Sequence, residues 1–381
     1  MRERVESAFS ERFGQRPGVM TRAPGRLEIL GNHTDYNEGT VLSVAVDRAM
    51  HVAAGAAPGR ICTLVDIGTG CERTFDVDDL AHPKKGDWAN YIKGLIVEMR
   101  RRGMAVPAFR AVLLGTVPMS AGMSSSAALE MAMVLALSRL AGVELPWLEA
   151  ARVGQACENN YVGARTGLLD QFSSLKGRAD SLVYSDFRSL QVENVPIPVG
   201  TAFVVVNCMV KHNLANEYNE RRQACEEAVR VLQRVYTGVR ALRDVSPAQL
   251  AAAEKELAPV VYRRASHVVG EISRVAQGIA ALAGGDVARF GQLMFASHDS
   301  SRENFANSCR ELDILVEIAR GLPAAYGARL SGGGFGGISV HLVRAEQATA
   351  YAQEVAGRYR DQSGRTAETM ICTAAAGAGI W

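Results

Sequence analysis

The sequence predicts two domains of mixed helix and strand that share one cleft. Its 381 residues are more than a single core usually serves. Short apolar runs separated by turn residues mark strands through the first half. From Glu217 to Phe295 the pattern turns helical and Ala-rich, and the change near residues 190–215 divides the chain into 1–195 and 196–381.

The first helix spans Arg2 to Phe13. A strand at Gly18–Ala23 leads into Ala23-Pro24-Gly25-Arg26, and a second apolar run covers Leu27–Leu30. Residues 31–37 are polar and turn-rich, a loop by composition. Val41–Val46, His51–Ala54, Ile61–Asp66 and Arg73–Val77 read as strands. Helical spacing follows at Trp88–Arg102, then a strand at Phe109–Leu114. The helix Ser125–Leu140 is apolar almost all round, which predicts burial. Another helix covers Leu148–Tyr161. Leu182–Ser185, Ala202–Val206, Ala328–Leu330, Ile338–Val343 and Met370–Thr373 complete the strands.

Composition excludes several classes. Hydrophobic residues make up 48%, charged residues 22%, and the formal net charge is +2. Acidic and basic residues are interspersed, so neither a nucleic-acid nor a membrane surface is expected. Arg100–Arg102 and Arg263–Arg264 read as solvated helix faces. The cysteines Cys62, Cys71, Cys157, Cys208, Cys225, Cys309 and Cys372 form no CxxC pair, which speaks against a zinc site or redox dithiol and for reduced thiols. The N-terminus lacks the apolar core of a signal peptide, and the apolar stretch Met131–Leu137 is too short to span a bilayer. The expectation is a soluble, cytoplasmic protein.

Three features carry chemistry. Val117 to Ala128 reads VPMSAGMSSSAA, between a strand and a buried helix. A helix start offers unpaired N–H groups and partial positive charge. Gly122 and the small serines permit close backbone approach by a phosphate chain, and a serine hydroxyl can ligate Mg²⁺. There is no Walker lysine and no GxSxG elbow; a Ser-rich cap on a core helix remains the plain alternative. Ser331 to Gly337 reads SGGGFGG. It meets GxGxxG by count, yet a strand-like run follows it rather than a helix. It therefore reads as a turn packed on a ligand or another loop, or as a simple hairpin. Finally, Arg26, His33, Asp35 and Asp170 lie in loop-like contexts. An Asp can accept a hydroxyl proton and an Arg can stabilise developing charge; each alone reads first as structural, and it is their combination with the two small-residue loops that points to a site.

These segments resemble the three signature motifs of the GHMP kinase superfamily, and the galactokinases within it. Ala23–Asn37, APGRLEILGNHTDYN, is similar to the galactokinase signature APGRVNLIGEHTDYN. Val117–Ala128 resembles the ATP motif, and Arg329–Gly337 the third motif. DWANYIKG (87–94), ENNYVGARTGLLDQF (158–172), KHNLANEYNERRQAC (211–225) and residues 297–312 follow the galactokinase pattern too, so the likeness runs over nearly the whole chain.

The resemblance implies an α+β, two-domain GHMP kinase fold, ribosomal-protein-S5-like then ferredoxin-like. It implies transfer from ATP, with Mg²⁺, to the anomeric hydroxyl of a sugar bound in the cleft. By position, Asp170 is the base or orienting carboxylate and Arg26 the cation beside it. Ser126 and Glu158 are metal ligands. Asn32, His33, Asp35, Gly167 and Tyr218 face the sugar. Trp88, Ser120, Gly122, Ser124, Ser125 and Ser126 belong to the nucleotide side. The implied partner is a small sugar, with no nucleic acid or membrane, and the implied assembly a monomer or weak dimer.

Three departures matter. Asn32 stands where galactokinases usually have Glu, the acceptor for the sugar's C6 hydroxyl. Asn can donate to a carboxylate or accept from a hydroxyl, so galactose leads while galacturonate is admissible. Glu28 replaces a usual Asn, and Thr166 a usual Cys. A rival reading is a sugar- and ATP-binding regulator without turnover; the presence of Arg26, Ser126, Glu158 and Asp170 together disfavours it.

Overall fold

The apolar runs of the first half pair into one large sheet. The computed structural model describes residues 1–118, 122–210 and 215–381. Helix α1 (Arg2–Phe13) opens the chain, and Val5 and Phe9, one turn apart, dock it on Met20, Ala53 and Val112. Strands β1 (Val19–Leu30), β2 (Thr40–Ala56), β3 (Ile61–Asp66) and β4 (Cys71–Asp76) follow, then α2 (Ala89–Arg101) and β5 (Phe109–Gly115). Next come α3 (Ser125–Leu140), α4 (Trp147–Ala156), a π-helical turn at Cys157–Val162 and α5 (Leu169–Lys176). Strands β6 (Ser181–Asp186) and β7 (Gln191–Pro196) close this half.

The second half begins with β8 (Thr201–Asn207). Helices α6 (Ala215–Val235), α7 (Pro247–Ala252), α8 (Pro259–Ala283), α9 (Val287–Ser300) and α10 (Arg310–Arg320) precede β9 (Ala325–Ser331) and β10 (Ile338–Arg344). Then come α11 (Ala348–Ser363), β11 (Glu368–Cys372) and β12 (Gly379–Ile380). The large sheet runs β12-β1-β2-β5-β3-β4, with β6 on β2 and β7 on β6; the second is antiparallel, β11-β8-β10-β9. Positions 195 and 196 lie in β7, in the large sheet; β8 begins the second sheet, and β12 returns to pair with β1.

Helices α2, α3 and α4 cover one face of the large sheet. A second core forms where β1 and β2 meet β8, β10, α8 and α9, including Leu27, Ile29, Val205, Phe290 and Val340. That seam holds the two halves together and sets the site between them.

Several local expectations change. Residues 23–26 do not break the strand: β1 continues through Pro24, because a register shift between Pro24 and Arg26 absorbs the residue that cannot donate to the ladder. Arg26 is thus a strand residue, not a loop one. Likewise β2 is one strand of 17 residues where two were expected. Asp170 lies in the first turn of α5, a helix too short to show periodicity. Arg264 is buried and donates from Nη1 to the Asn304 carbonyl at 2.5 Å, so of this basic pair only Arg263 is solvated. Arg101 and Arg102 are exposed, as expected. Among the described residues no helix is long and apolar enough to cross a membrane. All seven cysteines are free.

Candidate active site

Four segments distant in sequence meet at one cavity of about 440 Å³. Strand β1 delivers Arg26, whose backbone N–H bonds to the Met123 carbonyl at 3.0 Å. The guanidinium donates from Nε to Asp170 Oδ1 at 2.8 Å and from Nη1 to the Gly122 carbonyl at 2.6 Å. Helix α5 holds Asp170 in its first turn, where a carboxylate complements the helix dipole. Ser124 Oγ donates to Asp170 Oδ2 at 2.6 Å. Ser124 itself is left-handed, with φ 55°, and caps α3, so Ser125 and Ser126 form the first turn of a buried helix opening on the cavity.

Ser126 Oγ donates to Glu158 Oε1 at 3.1 Å. Thr166 Oγ1 and Gln171 Nε2 donate to Glu158 Oε2, the latter at 3.3 Å. Gln171 also reaches Glu130 Oε2 at 3.1 Å. Burial, with Asp170 nearby, pushes the Glu158 carboxyl up to about 7. Burial holds fully enclosed Glu130 well above the carboxylate range. This corner is rich in acidic groups short of positive charge.

On the other side lies the 31–37 turn. Burial lowers His33 to about 3, so its ring is neutral. Its Nε2 faces the Gly333 carbonyl at 3.3 Å and Nδ1 meets the Tyr36 hydroxyl at 2.9 Å, which assigns the proton to Nε2. Tyr218 and Phe305 pack on the ring, with centroids 5.0 and 4.6 Å away. Burial, then Glu28 and Asp170, raises Asp35 to about 7. Gly167 has a steric reason: a Cβ there would stand 1.7 Å from Asp35 Oδ2. The turn is anchored from behind by Glu271 of α8, whose Oε2 accepts from the amides of Gly31 at 3.0 Å and Asn32 at 2.9 Å.

The glycine loop is the hairpin turn between β9 and β10 and also packs on the serine loop, so it combines the arrangements its composition allowed. Gly122 adopts φ 76°, and a Cβ on it would press within 3.2 Å of the Ser331 carbonyl.

Of the residues singled out from sequence, Asp170, Arg26, Asn32, His33, Asp35, Gly167, Tyr218, Gly122, Ser124, Ser125, Ser126 and Glu158 all line the cavity. Ser120 lies outside the described residues. Trp88 is not in the lining; it precedes α2 and packs on the core behind it. Tyr91, three residues on in the same motif, lines the cavity instead. Trp88 caps α2 from outside and Tyr91 lies within its first turn, so packing, not spacing along the motif, decides which of the two reaches the cavity. Asn219 and Arg165 also line it, and were missed. Glu271 was missed because nothing local marks it.

Comparison with known proteins agrees with this arrangement. A model described as the galactokinase galactose-binding signature matches residues 7–56. The GHMP kinases N terminal domain matches 90–178, and the GHMP kinases C terminal model matches 279–361. A galactokinase of Roseiflexus sp. (strain RS-1) is 41% identical over 98% of this chain and 96% of its own length. One of Chloroflexus aggregans is 39% identical over 98% and 96%. The Lactococcus lactis galactokinase, solved with galactose, superposes with a TM-score of 0.94 at 29% identity, covering 98% of each chain. A mevalonate kinase shares the fold at a TM-score of 0.65 and 16% identity. Full-length identity of this order, with the signature segments converging on one cavity, makes the chain a member of the galactokinase family of GHMP kinases.

Proposed function

We propose that this chain transfers the γ-phosphoryl group of ATP to the anomeric hydroxyl of galactose, giving galactose 1-phosphate and ADP. The observation that carries the reading is the convergence of Arg26, Ser124 and Asp170 at the mouth of α3. Asp170 takes two donors from Arg26 and one from Ser124, which orients its carboxylate while leaving lone pairs for a sugar hydroxyl. In this role Asp170 positions the hydroxyl and accepts its proton, and Arg26 stabilises the charge that develops during transfer. Gly122, Ser125 and Ser126 offer amide and hydroxyl donors to the phosphate chain. Asp35 and Tyr218 contact the sugar, with His33 shaping its wall.

Ser126 and Glu158 fit Mg²⁺. They are hard oxygen donors 3.1 Å apart, and among the described residues no cluster of three or more His, Cys, Asp or Glu side chains offers a fuller cage. Mg²⁺ at nucleotide sites takes few protein ligands and completes its shell with phosphates and water. When bound, the ion supplies charge neutralisation on the phosphate oxygens. Thr166 and Gln171 hold the Glu158 carboxylate in place.

Purified protein with Mg·ATP and galactose is expected to release ADP at roughly 1–100 turnovers per second. Binding of both ligands without ADP release would instead support the regulator reading.

A further inference from the structure

We propose that Glu28, not Asn32, is the acceptor for the sugar hydroxyl remote from the transferred phosphate, and that it favours a neutral hexose over a uronic acid. The proposal rests on the sugar-kinase reading above. Relative to the galactokinase signature, the amide and the carboxylate of positions 28 and 32 are exchanged in this chain, and the structure shows what each one does.

Asn32 has little left for a ligand. It is 0% exposed. Its Nδ2 donates to Glu28 Oε1 at 2.8 Å and to the Gly332 carbonyl at 2.9 Å, and its Oδ1 accepts from Asn307 Nδ2 at 3.0 Å. Glu28 is different. Its Oε1 accepts from Asn32 and from Arg329 Nη1, at 2.9 Å. Its Oε2 takes no hydrogen bond among the described residues and is not among the sealed polar atoms, while the residue lines the cavity. Buried Arg329 supplies the counter-charge that lets a carboxylate stand in this wall.

Position supports the role. Arg26 and Glu28 pair in regular register with Ala45 and Ser43, so they share one face of β1. Two residues along a strand advance about 6.6 Å, roughly the reach across a hexose from its anomeric oxygen to its far hydroxyl. With the anomeric oxygen at Asp170 and Arg26, a distant hydroxyl meets Oε2 and donates to it. A ligand carboxylate there has no proton to donate and sets a second anion against Glu28.

The test is a kinetic cycle between residue 28 and deoxy sugars. Wild type and Glu28→Gln are assayed for ADP release with galactose and with 2-, 3-, 4- and 6-deoxygalactose. Glu28→Gln should lower kcat/KM for galactose about 10- to 100-fold, mainly through the sugar KM, with the ATP KM unchanged. One deoxy sugar should lose that sensitivity. Equal falls across the whole series would mark a merely structural role and overturn the proposal. Glu28→Asp, which keeps the charge beside Arg329, should recover part of the loss. If the Gln variant does not fold, wild type decides: galacturonate should be at least about 100-fold poorer than galactose, and comparable turnover of both overturns the assignment. If wild type turns over no sugar, the kinase reading fails by itself. Calorimetric galactose binding to wild type and Glu28→Gln or Glu28→Asp then decides the Glu28 role, with equal affinities counting against it.

Discussion

Replacing Asp170 by Asn isolates the charge at the centre of the site. Asp170 Oδ1 accepts from Arg26 Nε at 2.8 Å and Nη2 at 2.7 Å, and Oδ2 accepts from Ser124 at 2.6 Å. Asn fits the same space: its amide oxygen can face Arg26, and its amide nitrogen can donate to a rotated Ser124 hydroxyl. Shape and most hydrogen bonds survive, while the negative charge and the proton-accepting capacity go. Turnover should fall about 10²–10⁴-fold, equivalent to about 2.7–5.4 kcal/mol of transition-state stabilisation at 1.36 kcal/mol per tenfold. Breaking a buried ion pair can cost about 3–5 kcal/mol. Here the Asp170 side chain is 23% exposed and Arg26 keeps the Gly122 carbonyl, so about 1–2 kcal/mol of stability is expected. A coupled ADP-release assay at saturating Mg·ATP and galactose measures the first quantity, and chemical denaturation the second. A folded Asp170→Asn variant with near-wild-type turnover would refute the reasoning.

Other perturbations probe the surrounding supports. Gly167→Ala puts a Cβ 1.7 Å from Asp35 Oδ2 and 2.4 Å from its Cγ, so Asp35 must move; sugar KM should rise at least about tenfold, with about 1–3 kcal/mol of stability lost in melts. Asp35 has its folded pKa raised by burial to about 7, so the native state holds a proton that the unfolded chain has already released. Its stabilising contribution is full below the unfolded value of 3.8 and is lost as pH rises through about 7. The Tm advantage of sugar-free wild type over Asp35→Asn should therefore shrink between pH 5 and 8, and a constant difference would contradict the shift. Glu158→Gln should reduce turnover at low Mg²⁺ and recover partly as Mg²⁺ is raised; an unchanged Mg²⁺ titration would remove Glu158 from the metal role. Glu271→Gln takes the charge from an oxygen that accepts from Gly31, Asn32 and Ser297 and leaves Arg274 unpaired. Denaturation should show a loss of about 2–4 kcal/mol, with sugar affinity weakened more than ATP affinity.

Much was legible in the sequence because it is locally encoded. Helix α1 and helix α3 follow from spacing and apolarity over a dozen or more residues, and their limits were read correctly. The serine and glycine loops announce themselves by composition, and the motifs around Arg26 and Asp170 name the chemistry before any contact is known. What the sequence determined, then, was the set of reactive groups and the periodic elements that carry them. Only the tertiary structure decided which groups touch. Pro24 stays in a strand because the register shift between it and Arg26 accommodates it. Tyr91 faces the cavity and Trp88 does not. Glu271 braces a turn 240 residues away, and the Glu28 carboxylate stands beside Arg329, 301 residues distant. Such pairings depend on how two sheets close around one seam, and on where burial leaves a carboxylate its partner. Neither quantity exists in a single stretch of chain.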